Sequence, residues 1–198
     1  MPTRSREVRL ARRPVGFPSD ADFELATVTL PDPGVGELLI RNLWMSVDPY
    51  MRGRMNDAKS YTPPFALGEA LQGGAIGRVE LSNNPKFNVG DHVQHGLGWR
   101  EHVVSDGRGL AAVDISLASP EAYLSVLGGT GFTAYVGLLD LGEPRAGETV
   151  FVSAAAGAVG SIVGQIAKIK GCRAVGSAGS DEKVALLTGQ LGFDAAFN

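Results

Sequence analysis

The sequence has little of what metal centres, disulfides and membrane spans require. It contains one cysteine, Cys172, and three histidines in 198 residues. A lone cysteine excludes an intrachain disulfide and a four-cysteine zinc site. No stretch reaches the ~18 consecutive apolar residues of a membrane helix, and residues 1–13 are arginine-rich without the apolar run of a secretory signal. We therefore expect a cytoplasmic protein that has no membrane partner.

The sequence also lacks a large excess of positive or negative charge. The chain has 18 basic and 21 acidic residues, a net charge of -3, and the charged residues are spread along its length. Nucleic-acid binding requires a concentrated basic patch, so we expect no nucleic-acid partner. A hydrophobic content of 44% is enough to bury a core, which indicates an ordinary globular protein.

The first half of the chain has the pattern of short strands and turns. Alternating runs such as residues 37–43 (ELLIRNL) and 74–80 (GAIGRVE) are separated by clusters of Pro, Gly, Asn and Asp. This pattern predicts a small antiparallel barrel or curled sheet.

The second half alternates longer helices with strands. A helix punctuated by the glycines near 128–131 is predicted over 121–139. Strands are predicted over 148–153 and 173–177, a helix over 158–170, and another helix that begins after Ser180. Short links between strand, helix and strand favour a parallel sheet with right-handed crossovers. The fold class is therefore α/β, with one domain over residues 1–120 and a second over 121–198.

The second domain is too short for a complete dinucleotide-binding fold. Such a fold needs about six strands, whereas the sequence offers two and the start of a third at 193–197. We expect the 198 residues to be a fragment that holds the adenosine side of a dinucleotide weakly.

Residues 154–161 (AAAGAVGS) follow a predicted strand and open a predicted helix. Gly157 would let the backbone approach a pyrophosphate, and Gly160 would let the helix pack close to the strand. Ala155 stands where dinucleotide-binding loops have their first glycine, and a small residue suffices there if φ is negative. A Gly-x-x-Gly alone also fits a tight turn, but the strand–loop–helix context favours nucleotide binding. The residues assigned to the dinucleotide are Ala155, Gly157, Ala158, Val159 and Gly160.

The end of the second strand indicates which dinucleotide is bound. Sites for NAD carry an acid about 20 residues further on, which holds the ribose 2′-hydroxyl, but Ala178 occupies that position. Ser180 and Lys183 could instead bind a 2′-phosphate, so NADP is favoured. The alternative is that Lys183 is a solvated surface residue paired with nearby acids.

Four segments together resemble a known family. They are residues 45–55 (MSVDPYMRGRM), 98–101 (GWRE), 131–139 (GFTAYVGLL) and the loop with the helix that follows it through Cys172. They are similar to the zinc-independent branch of the medium-chain dehydrogenase/reductase superfamily, which includes leukotriene B4 dehydrogenase/prostaglandin reductases and alkenal double-bond reductases. Residues 48–55 most resemble the bacterial NADPH-dependent curcumin reductase type.

The resemblance implies a GroES-like β-barrel domain followed by a Rossmann domain, NADP as cofactor and a small-molecule enone as substrate. It also implies that Tyr50 lies at the substrate cleft as the group that stabilises the enolate, that Thr133 lies near the nicotinamide, and that the protein is a homodimer. Two alternatives stay open: Tyr50 as a buried packing residue, and Thr133 as a helix-interior residue that bonds back to the preceding turn. Arg52 and Arg54 are expected to be structural or surface residues.

No metal site is expected. Residues 45–48 and 67–70, which correspond to the ligand-bearing stretches of zinc-dependent relatives, contain neither cysteine nor histidine. His92 and His95 fall on a predicted strand, where a spacing of three sends them to opposite faces. We expect them to be surface or loop histidines.

Three activities remain possible from the sequence. The first is reduction of the carbon–carbon double bond of an enone or alkenal. The second is quinone oxidoreduction or zinc-free ketone reduction in the same superfamily. The third is a non-catalytic nucleotide-binding module, since a fold does not fix a function.

Overall fold

The computed structural model describes residues 2–198, which form two compact units. The first unit ends at Leu124 and the second is Ser125–Asn198. The sequence-based boundary, after residue 120, lies close to this division. No helix within residues 2–198 is long and apolar enough to cross a membrane.

The first unit is built from antiparallel strands. A hairpin pairs β1 with β2, and a second sheet has the order β6-β3-β4-β5-β7, so the predicted antiparallel sheet is confirmed. Isolated bridges such as Glu7↔Arg100 and Leu10↔Leu67 join β1 to the rest of the unit. The strands are β1 (Thr3–Leu10), β2 (Phe23–Leu30), β3 (Leu38–Met45), β4 (Ala75–Ser82), β5 (His92–His95), β6 (His102–Ser105) and β7 (Ala111–Val113).

A single short helix, α1 (Tyr50–Arg54), follows β3. Met51 and Met55, four residues apart, are both buried and pack with Leu10 and Phe65. Each buried side chain of this kind contributes about 1.5–3 kcal/mol of hydrophobic stabilisation. Because Met51 and Met55 fix the inner face of the helical turn, Tyr50 and Arg54, also four apart, share the neighbouring face.

The second unit contains a parallel sheet of order β10-β9-β8. Its registers include Val150↔Ala174 and Ala195↔Val175, all parallel, which confirms the predicted α/β arrangement. The first unit ends with a 3₁₀ turn (Pro120–Leu124). The elements of the second unit are α2 (Gly129–Tyr135), a π-helix (Val136–Leu141), β8 (Thr149–Val152), α3 (Ala158–Ile169), β9 (Arg173–Ser177), α4 (Asp181–Gly189) and β10 (Ala195–Phe197).

The helix predicted over 121–139, with an interruption at the glycines near 128–131, is interrupted at that point. The segment before the break is a 3₁₀ turn and the segment after α2 is a π-helix, so neither is the regular α-helix that was predicted. The amides of Gly128 and Gly131 both donate to the carbonyl of Ser125, so the chain turns sharply before α2 begins. A Cβ on Gly131 would lie 1.7 Å from the Val126 carbonyl oxygen, and only glycine fits this approach. The helix is therefore interrupted where the glycines allow the backbone to fold onto itself.

The core of the second unit forms around Phe193. Its ring fills the space left by two glycines, since a Cβ on Gly164 would lie 2.0 Å from the ring and one on Gly176 would lie 3.0 Å from it. This packing holds α3 and β9 close together and fixes the edge of the sheet from which the nucleotide loop emerges. The buried residues of this core are Leu138, Val152, Ala155, Ala167, Cys172, Ala174, Leu187 and Phe193.

Candidate functional site

The loop after β8 is held in a strained, well-anchored conformation. Ala154 has φ +48°, the left-handed region that non-glycine residues rarely adopt. Ala155 does not have a positive φ; it is fully buried, and its amide donates to the Ser177 carbonyl at 2.8 Å. Alanine is therefore sterically acceptable at residue 155, as the sequence required. The residue in the left-handed region is the preceding one, Ala154.

The N-terminus of α3 offers free amides. Gly157 is the N-cap residue, and the first bond of the helix runs from the Ser161 amide to the Gly157 carbonyl at 3.0 Å. The amides of Ala158, Val159 and Gly160 precede that bond and have no partner in the helical ladder. Together with the helix dipole they form an environment that favours an anion such as a pyrophosphate.

Gly160 places the helix against the loop. A Cβ there would lie 2.7 Å from the Ala154 carbonyl oxygen and 2.8 Å from the Ala155 Cα. Only glycine allows this approach without moving the backbone, which is the packing role predicted for it.

A cavity of about 170 Å³ opens beside the loop. It brings the loop, the turn after β9 and one basic side chain of α4 into a single site. No acidic side chain contributes to its lining, and Ala178 stands in the position of the acid expected in an NAD site. The lining residues are Ala154, Ala156, Gly157, Ala178, Gly179 and Lys183. The Lys183 ammonium is the charged group in this lining, so the lining carries no charge that would repel a phosphate. The sequence had not singled out Ala156 and Gly179.

Ser180 and Lys183 differ in what they already bind. The Ser180 hydroxyl oxygen accepts from the Lys183 amide at 3.4 Å, so Ser180 caps α4 as predicted, and its hydroxyl proton remains available for donation. Asp181 accepts from the Asn198 side chain at 3.0 Å. Among residues 2–198 the Lys183 ammonium has no salt-bridge partner. Lys183 is exposed, as in the alternative of a solvated surface residue, but the pairing with nearby acids that this alternative included is not seen among these residues.

Thr133 lies in α2, and its hydroxyl donates to the Gly129 carbonyl at 2.8 Å. This is the back-bonding geometry considered as the alternative. Thr133 is solvent-exposed and does not line the cavity beside the loop. The structure thus does not bring Thr133 together with the other residues assigned to the dinucleotide.

Tyr50 is 36% exposed at the first position of α1, so it is not the buried packing tyrosine considered as the alternative. Partial burial raises the pKa of its phenol, and the charge of Asp48 raises it further, whereas the charge of Arg54 lowers it. The net shift is upward. The phenol is therefore protonated at neutral pH and can donate a hydrogen bond.

The two neighbouring arginines bind backbone carbonyls. Arg52 donates from Nη2 to the Gly16 carbonyl at 2.7 Å, and Arg54 donates from Nε to the Pro63 carbonyl at 2.9 Å. Both were predicted to be structural or surface residues. The influence of Arg54 on Tyr50 was missed, although the spacing of four residues on one helix could have indicated it.

The residues at the positions of zinc ligands make other contacts. The Ser46 hydroxyl donates to Asp48 Oδ2 at 2.8 Å. Across the described chain, residues 2–198, no group of three or more His, Cys, Asp or Glu side chains is arranged to hold a metal ion.

His95 corrects the expectation of surface or loop histidines. His92 and His95 do occupy opposite faces of β5, as predicted, but His95 points inward and is only 5% exposed. Its Nδ1 accepts from the Leu97 amide at 3.0 Å. Burial, followed by the nearby charge of Arg100, lowers the pKa of His95 to about 4. It is a neutral core histidine, on the same face of β5 as the buried Val93.

Comparison with known proteins agrees with this geometry. A protein family described as the N-terminal domain of oxidoreductase matches residues 6–113. The NADPH-dependent curcumin reductase of Escherichia coli is 46% identical over 98% of this chain and 56% of its own length. Prostaglandin reductase 1 of Mus musculus is 49% identical over 92% of this chain and 54% of its own length.

A solved structure gives the same result. The crystal structure of CurA from Vibrio vulnificus in complex with NADPH superimposes with a TM-score of 0.91 at 46% identity, covering 98% of this chain and 57% of that one. The chain thus spans little more than half the length of these relatives.

Proposed function

Because this chain belongs to the medium-chain dehydrogenase/reductase superfamily, in the branch of the curcumin and prostaglandin reductases, we propose that the full-length protein is an NADPH-dependent double-bond reductase. Its substrates are α,β-unsaturated ketones and aldehydes, and it works without zinc. The observation that carries the proposal is the acid-free cavity that the nucleotide loop shares with Lys183.

The coenzyme is assigned to the second unit. Amides at the start of α3 hold the pyrophosphate, and the Lys183 ammonium pairs with the 2′-phosphate while Ser180 donates a hydrogen bond to it. The absence of an acid at Ala178 removes repulsion against that phosphate. Thr133 is assigned to the nicotinamide. The residues that contact the pyrophosphate are Ala155, Gly157, Ala158, Val159 and Gly160.

Tyr50 is assigned to the substrate. NADPH, when bound, would supply the hydride that adds to the β-carbon of the enone, so a protein group must stabilise the negative charge on the carbonyl oxygen. The protonated phenol of Tyr50 donates a hydrogen bond to that oxygen and stabilises the enolate. The same phenol can relay a proton toward the α-carbon.

The residues where zinc-dependent relatives carry ligands support zinc independence. Ser46 and Asp48 bind each other, and Glu69 stands in a segment without histidine. A stabilising donor from the protein is then required at the carbonyl oxygen, and Tyr50 is that donor.

A substrate panel tests this function. NADPH consumption by the full-length protein should be fastest with enones and alkenals, and slower with quinones and simple ketones. Preference for quinones or ketones would favour the other oxidoreductase reading, and no NADPH consumption with any acceptor would favour a nucleotide-binding module. Elemental analysis of the active protein should find less than stoichiometric zinc.

Location and assembly follow the same reasoning. We propose a cytoplasmic homodimer with small-molecule partners and no nucleic-acid partner. Light scattering of the full-length protein measures the assembly, and a monomeric mass would contradict it.

A further inference from the structure

Another cavity lies beside α1 in the first unit, and none of the residues assigned to the coenzyme or to the enolate lines it. Its volume is about 360 Å³, which is within the range of sites that hold a small organic molecule. Its walls come from the last residue of α1 and from the segment that leads to β4. The polar or charged members of the lining are Arg54, Thr62, Glu69 and Gln72, and the remainder is apolar.

The Arg54 guanidinium of this lining is held in place by uncharged groups. Its Nε donates to the Pro63 carbonyl at 2.9 Å, its Nη2 donates to Gln72 Oε1 at 3.0 Å, and its Cζ lies 4.0 Å from the centroid of the Phe65 ring. Phe65 is buried, and its amide donates to the Arg54 carbonyl at 2.7 Å. The guanidinium and the segment that it contacts are therefore preorganised for binding.

The positive charge of Arg54 has no counter-ion in the described part of the chain. Among residues 2–198 no carboxylate lies within ion-pairing distance of its guanidinium, and both hydrogen bonds of the side chain go to neutral acceptors. A guanidinium has five N–H donors, so these two bonds leave three for another partner. Because Arg54 is half-buried, its charge lacks part of its hydration and gains from an anion in the cavity.

The rest of the lining favours a singly charged anion with an apolar body. Glu69 is exposed and contributes to the lining, so an anion that carries two charges, such as phosphate, meets stronger repulsion. Pro64, Phe65 and Ala70 supply apolar surface, which accommodates a hydrocarbon group. A planar carboxylate matches the fork of guanidinium donors, which binds both of its oxygens.

We propose that this cavity binds the carboxylate of a small organic monoacid, with Arg54 as its anchor. The site is argued from the cavity and its charges alone, so it does not depend on the proposed reduction of enones. Arg54 lies one helical turn from Tyr50 on α1. Two sources therefore supply such a carboxylate: a separate acid, or the acidic end of an enone whose carbonyl oxygen lies at Tyr50.

Calorimetric titration of the full-length protein with benzoate tests the proposal without any turnover. Benzoate should bind, and benzamide, its uncharged counterpart, and inorganic phosphate should bind more weakly. In Arg54→Gln the Kd for benzoate should rise about 10- to 100-fold, as on loss of a charge-assisted hydrogen bond. In Glu69→Gln that Kd should fall about two- to fivefold, because a repelling charge is removed.

Arg52→Gln is the matched control on the same helix. Arg52 donates to the Pro14 and Gly16 carbonyls and to Asn56 Oδ1 and does not line the cavity, so its loss should leave the Kd for benzoate unchanged. No binding of benzoate by the parent protein, or equal weakening in Arg54→Gln and Arg52→Gln, would overturn the proposal.

A variant that keeps the charge covers the case in which Arg54→Gln does not fold. Arg54→Lys loses the fork of donors and should still weaken benzoate binding, while Glu69→Gln should still strengthen it. Unchanged affinity in both variants would overturn the proposal.

Inhibition kinetics identify the source of the carboxylate. If the acidic end of the substrate occupies the cavity, benzoate should compete with the enone; if a separate acid occupies it, benzoate should bind without raising the KM for the enone. Either result supports the site, because both require benzoate to bind at Arg54. A protein that binds benzoate through Arg54 but reduces no enone would contradict the proposed function and leave this site confirmed.

Discussion

Gly160 faces the carbonyl oxygen of Ala154 so closely that a Cβ on residue 160 would lie 2.7 Å from that oxygen. We therefore expect Gly160→Ala to push the nucleotide loop away from α3. Overpacking of this kind lowers the free energy of unfolding by about 1–3 kcal/mol, and NADPH affinity should also fall, because the displaced loop no longer aligns its amides with the pyrophosphate. Fluorescence titration and denaturant unfolding measure the two effects.

Gly137→Ala is the control for that substitution. Its Cβ would meet no atom within 4 Å, so NADPH affinity should stay at the parent value. A Gly160→Ala variant that binds NADPH as tightly as the parent would contradict the packing argument.

Lys183→Ala should weaken the binding of NADPH but not that of NADH. Loss of a charge-assisted hydrogen bond costs about 1.5–3 kcal/mol, so the Kd for NADPH should rise about 10- to 100-fold. The Kd for NADH should hardly change, because NADH has no 2′-phosphate. Lys170→Ala, which removes an exposed lysine at the C-cap of α3, should affect neither. Equal losses for NADPH and NADH in Lys183→Ala would refute the 2′-phosphate assignment.

Tyr50→Phe removes the donor assigned to the enolate. We expect kcat for enone reduction to fall 10²- to 10³-fold, as on loss of an oxyanion-hole donor, with the Kd for NADPH nearly unchanged. Tyr123→Phe is the matched control, since that hydroxyl donates to the Asp114 carbonyl at 2.7 Å and should matter only for stability. Steady-state rates equal to the parent in Tyr50→Phe would exclude the role.

His95 should make stability depend on pH. Its pKa is about 4 in the folded protein against 6.5 for an unperturbed histidine, so the unfolded chain binds more protons between these values. Stability should fall as pH drops from 6.5 toward 4, by on the order of 3 kcal/mol, and the contribution of His95 should level off below that. Urea unfolding at a series of pH values measures it.

His95→Asn offers an amide oxygen to the Leu97 amide but does not titrate, so its unfolding free energy should vary less over that range. His92→Asn, on the opposite face of β5, should keep the parent's pH dependence. If His95→Asn and the parent lose stability in parallel between pH 6.5 and 4, the buried histidine is not the cause.

Much of the fold could be predicted because local signals agreed with the tertiary structure. The helix that ends before Gly171 was predicted from that glycine, which has φ +76°, and the strand at 173–177 was predicted with its observed bounds. The loop, Lys183 and the missing acid at Ala178 were identified from spacing alone, and they line one cavity.

The remaining features depend on contacts that a single sequence does not reveal. The glycines near 128–131 indicated the break before α2, but not the close approach of Gly131 to the Val126 carbonyl that accompanies it. The burial of His95 depends on which face of the four-residue β5 points into the core, and a strand this short does not reveal that face. The left-handed Ala154 has no signal in the sequence, since alanine does not favour that conformation.

Isotope transfer tests the proposed reaction most directly. The full-length protein is incubated with an enone and NADPH that carries deuterium at the transferable position of the nicotinamide, and the product is analysed by NMR and mass spectrometry. We predict a saturated ketone with deuterium on the former β-carbon. Deuterium on a carbinol carbon, or no transfer to the enone, would contradict double-bond reduction by this protein.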